Sequence, residues 1–150
     1  MASYTRSSAY RGGNVVLSIQ YYGPDGVVKD ADKKSIIELS KELGDLSQRA
    51  RDKKLKPNEL QSGTFTISSL GGVGGTFFTP IINPPEVAIL GISQSWWENI
   101  YSDKIKNNSP KYIMPFSLSY DHRVIDGVAG ASFTSKFSEV LEDISNFSDK

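Results

Sequence analysis

Cysteine is absent from the 150 residues, and histidine occurs once, at His122. Without cysteine there are no disulfides, no thiol nucleophile and no thiolate metal site. A single histidine also argues against a zinc centre, which draws on several His or Cys ligands, so no metal is expected. Neither sign of charge prevails, with 17 Lys and Arg against 17 Asp and Glu. This balance gives no electrostatic footprint for nucleic acid or an anionic membrane surface. No apolar run approaches the length of a bilayer span, and no charged-then-apolar leader is visible, so the expected location is the cytoplasm. What remains is 38% hydrophobic and 23% charged, the composition of a globular domain long enough to bury a core. Proton transfer near neutral pH by an unperturbed side chain would fall to His122.

Along the chain, residues 1–13 are polar, rich in Ser and Tyr, and without period. They read as a flexible leader or an appended segment, with the domain proper over 14–150. NVVLSIQYY (14–22) alternates as a strand and GPDG (23–26) turns, while Val27-Val28 is too short to read as a return strand. Ile36, Leu39, Leu43, Leu46 and Ala50 recur every three or four residues and predict an amphipathic helix from Asp32 to about Lys53. Asp30 or Asp32 would cap its start. GTFTISSL (63–70) reads as a strand, GGVGG (71–75) as a loop, and EVAILGIS (86–93) as a strand buried on both faces. Trp96 to Pro110 reads as a variable connection, and KYIMPFSLSYDH (111–122) as one further strand. A closing helix from about Val128 to Phe147 carries Phe133, Phe137, Val140, Leu141 and Ile144, with Asp126 at its N-cap. The order of elements gives an α+β or α/β layered sandwich.

His122 lies in YDHRVIDG, at the end of a strand and before a helix, where a side chain projects from rigid scaffold. Imidazole there could act as a general base, although a lone histidine is more often simply satisfied by its neighbours. Asp121, Arg123 and Asp126 surround it, and an Arg123–Asp126 pair would lock the turn. Taken alone, Asp126 reads as a helix cap and Ser68 as an ordinary strand serine.

SYDHRVIDG resembles the signature of the dihydrolipoamide acyltransferases, the E2 components of 2-oxo acid dehydrogenase complexes. GTFTISSLGGVGGTFFTPIINPPEVAILGIS (63–93) and KDADKKSIIELSKELGDLSQRARDKKLKPNELQSG (29–63) resemble the same family, in the same order. The resemblance covers about residues 14–148. It implies an α+β two-layer sandwich of the chloramphenicol acetyltransferase-like fold, here incomplete at the N-terminus. It also implies acyl transfer between a dihydrolipoyl thiol and coenzyme A, both as substrates. His122 would deprotonate the attacking thiol, and Ser68, or less favourably Ser69, would stabilise the oxyanion. Asp126 would organise the turn. The chain would associate with itself into trimers and larger cages, with Phe147 as a contact between trimers or as part of the helix core. The resemblance also implies E1 and E3 as the family's partners, through a binding domain expected to be absent from these residues. The alternative expectation is a self-assembling core with little catalysis.

Overall fold

The computed structural model describes residues 15–18, 26–103 and 106–147. The leader, most of the 23–26 turn and the last three residues lie outside that range. Seven strands and two long helices are described: β1 (Val15–Ser18), β2 (Gly26–Val28), α1 (Ile36–Arg51), β3 (Phe65–Ser69), β4 (Ala88–Ile92), β5 (Trp96–Ser102), β6 (Asn107–Ile113), β7 (Phe116–Tyr120) and α2 (Gly127–Glu142). A five-stranded sheet runs β2-β1-β3-β4-β7, and β5 and β6 form a separate two-stranded sheet. β1, β3 and β4 are parallel neighbours, whereas β2 and β7 run antiparallel to theirs.

Both helices cover the same face of the large sheet. Phe65 on β3 meets Phe133 of α2 at 6.0 Å between ring centroids, and Phe116 on β7 meets Phe137 edge-on at 5.0 Å. A Cβ at Gly26 on β2 would stand 3.2 Å from Leu46 of α1. Gly26 is in register with Leu17, and Leu17 with Ile67, so by the two-residue period Leu46 lies on the Phe65 side. β4 is the driest strand: Ala88, Ile89 and Leu90 are all buried, as the uninterrupted apolar run predicts.

Several readings of the sequence are corrected. Val27 and Val28 do form a strand, paired antiparallel with β1 and buried. The cap of α1 is Ser35, not Asp30 or Asp32. Its hydroxyl accepts from the Glu38 amide while the Glu38 side chain accepts from the Ser35 amide, a reciprocal capping box. Asp30 instead opens a short 3-10 turn over Ala31–Lys33. Of the expected α1 stripe only Leu46 is buried and Ile36 is exposed, because the helix packs over a three-residue edge strand. Where a variable connection was expected from Trp96 to Pro110, β5 and β6 pair antiparallel, and the strand expected over 111–122 is split at Met114-Pro115. Proline has no amide hydrogen for the ladder, which accounts for the break. The closing helix ends at Glu142 and is followed by a 3-10 turn, Ile144–Phe147, in which Phe147 is partly exposed.

Candidate active site

β7 ends at Tyr120, and the chain turns through Asp121–Val124 into α2. Asp121 holds this turn by all its polar groups. Its amide donates to the Val87 carbonyl at 2.8 Å, and its carbonyl accepts from Val124 at 3.0 Å and Ile125 at 2.9 Å. Its carboxylate takes a two-pronged bond from the Arg123 guanidinium, 2.9 Å from Nε and 2.6 Å from Nη2, and a third from the Arg123 amide at 3.0 Å. These donors, the guanidinium first, hold the Asp121 carboxyl down to about 2. The expected Arg123–Asp126 pair is therefore not formed. Asp126 is committed elsewhere: its Oδ1 accepts from the Ala129 amide at 2.7 Å and caps α2.

His122 sits at the exposed crest of this turn, with its ring 5.9 Å from that of Tyr120. Tyr120 in turn packs against α2 at Gly130, where a Cβ would stand 2.7 Å from the ring. The backbone of the turn and this aromatic neighbour thus aim the imidazole, which is available to solvent.

Ser68 is elsewhere. It lies on β3 in one row with Gly91 of β4 and Ser117 of β7, on the face away from the helices. The Phe78 ring fills the space above Gly91, 2.8 Å from where a Cβ would be, and the Ser117 hydroxyl donates to the Phe78 carbonyl. Only 1% of Ser68 is accessible, and its hydroxyl has no partner among the described residues. Its neighbour Ser69 faces the helix side, and its hydroxyl accepts from the Gly71 amide at 3.4 Å. Tyr120 is level with Ala88, at the opposite end of the sheet from the Ser68–Gly91–Ser117 row. With neighbouring strands about 4.8 Å apart and a rise of about 3.3 Å per residue, Ser68 and Tyr120 are roughly 14 Å apart, and the histidine turn begins beyond Tyr120. One chain therefore brings His122 and Asp126 together and leaves Ser68 apart.

A third acidic group belongs to the histidine end and was not singled out from the sequence. Glu86, just before β4, accepts a 2.5 Å hydrogen bond from the buried Thr66 hydroxyl. Burial raises the Glu86 carboxyl above its ordinary value, and the Thr66 bond opposes that shift. A lone charge against the buried AILG run was the available signal. Among the described residues no group of three or more His, Asp or Glu could hold a metal.

Residues 24–148 match the family described as 2-oxoacid dehydrogenases acyltransferase (catalytic domain). The chain belongs to this family. The chain is 52% identical over 117 residues to the dihydrolipoyllysine-residue acetyltransferase component of the pyruvate dehydrogenase complex of Cupriavidus necator, covering 78% of this chain and 21% of that protein. The Haemophilus influenzae counterpart is 52% identical over 125 residues, covering 81% of this chain and 22% of that one. In structure, it superposes on the cubic core of the pyruvate dehydrogenase multienzyme complex with a TM-score of 0.83 and 42% identity, over 89% of this chain and 55% of that one. The Azotobacter vinelandii dihydrolipoamide acetyltransferase also matches with a TM-score of 0.83, at 43% identity, over 89% of this chain and 55% of that one. Crystallographic and enzymatic work on that protein concerns one serine, one histidine and one asparagine in its catalytic mechanism. The asparagine follows the histidine by four positions there, the spacing that separates His122 from Asp126 in this chain.

Proposed function

We propose that the chain moves an acyl group between coenzyme A and a dihydrolipoyl thiol, at a site shared by two copies. The observation that carries this is the separation of Ser68 from His122 along the sheet. A general base and an oxyanion donor must both reach the same reacting carbonyl within hydrogen-bonding distance. Residues at opposite ends of one sheet do so only when a second chain supplies the other half. Among the described residues the Ser68 hydroxyl has no partner, which agrees with a donor kept for such a site.

The steps follow from the groups present. The imidazole of His122 takes the proton of the dihydrolipoyl thiol as general base. The thiolate sulfur bonds to the thioester carbonyl carbon of acyl-coenzyme A, and the carbonyl electron pair moves onto oxygen. Ser68 of the neighbouring copy donates to that oxyanion. The oxyanion collapses, the bond to the coenzyme A sulfur breaks, and the imidazolium returns its proton to the departing thiolate. Asp126 takes no proton; it anchors the turn to the end of α2. No metal enters this sequence. The fold is read as chloramphenicol acetyltransferase-like, and the copies as trimers that build larger cages in complexes with E1 and E3 components.

Acyl transfer from acetyl-coenzyme A to free dihydrolipoamide tests the reading. His122→Ala and Ser68→Ala should each lose the activity, the latter by about 100-fold or more. Mixing and reassembling the two inactive variants should restore about a quarter of the wild-type rate, since a random mixture of copies in a closed ring forms that share of intact sites. No recovery, with wild-type controls active after the same treatment, would place the site within one chain. A folded wild type without turnover would leave an assembling core as the function.

A further inference from the structure

His122 makes no side-chain hydrogen bond among those described; the backbone of its turn must therefore aim it. Beyond its own junctions with β7 and α2, that turn is tied to one further strand end. The Asp121 amide binds the Val87 carbonyl, and Val87 lies between β4 and Glu86. Glu86 is itself fixed twice: its amide donates to the Asn83 carbonyl at 3.0 Å, and its carboxylate receives the Thr66 hydroxyl at 2.5 Å. Thr66 is 2% accessible and stands on β3 opposite Ile89, so the bond crosses from one strand to the segment leading into the next. Two hydrogen bonds, joined by the Glu86–Val87 peptide link, then connect β3 to Asp121 and the histidine turn.

We infer that Glu86, held by Thr66, is a positioning residue for His122, fixing the end of β4 from which the catalytic turn is suspended. Its role is distinct from that of Asp121, which shapes the turn from inside, and of Asp126, which ties the turn to α2. Glu86 has no ion-pair partner among the described residues. A half-buried carboxylate kept for stability alone would ordinarily be paired. Burial also raises its carboxyl, and carboxylates shifted in this way concentrate at functional sites. The Thr66 bond offsets part of the desolvation cost, and the geometry it imposes is what the site gains. Breaking it leaves a buried hydroxyl without a partner and frees the segment 83–87.

This inference rests on reading His122 as the thiol base, but it has a readout that does not. One histidine per chain gives one set of imidazole signals in a proton–carbon NMR spectrum. Trp96 and Trp97, both on the hairpin, supply control signals. Thr66→Val and Glu86→Ala should each shift or broaden the His122 signals while leaving the indole signals in place. Thr66→Ser, which keeps the hydroxyl, and Glu86→Gln, which keeps an acceptor oxygen, should restore them. In acyl transfer, the two disrupting variants should lower kcat about tenfold with the KM for coenzyme A nearly unchanged. Unmoved His122 signals in Glu86→Ala would overturn the inference, whatever the activity. Should Thr66→Val fail to fold, the Glu86→Ala and Glu86→Gln pair decides by the same signals. Moved signals with no turnover in wild type would retain the positioning role and remove the catalytic reading instead.

Discussion

The large sheet and the β5–β6 hairpin both rest on strand pairing but use it for opposite ends. On β4, Leu90 is 1% accessible and its strand neighbours Ala88 and Ile89 are also buried. On the hairpin, Trp97 is 70% and Tyr101 59% accessible, and among the described residues β5 and β6 pair only with each other. The Trp97 and Tyr112 rings touch at 5.2 Å between centroids, across the hairpin itself. Burial fixes the strands that hold the site residues, whereas the hairpin stands on cross-strand contacts alone. Rigid placement is thus concentrated where chemistry is proposed, and exposed aromatic surface is concentrated away from it.

Substitutions graded along this contrast should have graded effects. Leu90→Ala, in the driest position, should cost about 3 kcal/mol in urea unfolding, from lost transfer energy plus the cavity. A value below about 1 kcal/mol would mean that β4 is less tightly enclosed than its burial indicates. Asp126→Ala should cost about 1 kcal/mol through the lost helix cap, while Asp126→Asn should keep the cap and stay near wild type. A smaller change should come from Arg123→Ala, since Arg123 is 89% accessible and its ion pair is screened by water. Here the sign is set by a carboxyl held low, about 2 against an ordinary 3.8. The stabilisation is fully present above the ordinary value and is lost as pH falls through about 2. Acid titration of the variant, followed by circular dichroism, should show that part of the low-pH loss gone. Smallest of all, Tyr101→Ser on the hairpin should change unfolding by no more than about 0.5 kcal/mol. A larger cost at micromolar concentration would show that the hairpin is covered in solution.

The same contrast explains what the sequence made legible. β3, β4 and both helices were readable because each presents an apolar pattern to the sheet core, and burial is what writes a period into a sequence. The hairpin was missed because WWENIYS and NNSPKYI have no buried face to impose alternation, and no Asn-Gly or Asp-Gly marks their turn. Val27-Val28 escaped for a different reason: two apolar residues carry too little period, although both are buried. The Ser35–Glu38 box was present in the letters and was overshadowed by the nearer aspartates. Within the site, the Asp126 cap was readable from its place before an apolar helix. The Arg123 partner was not, because Asp121 and Asp126 are both within reach in sequence and only the geometry of the turn chooses between them. Glu86 depends on a partner 20 residues away in sequence, a relation that local reading does not contain.

Gly130 shows where such an arrangement is most easily damaged. The Tyr120 ring already occupies the space that a methyl group would need there. Any side chain at that position must displace either the Tyr120 ring beside the histidine turn or the helix itself. A survey of the molecule for reactive groups would pass over this residue, since it has none. A survey of which residues tolerate replacement would meet it early, with the acids and bases around the histidine intact and their spacing gone.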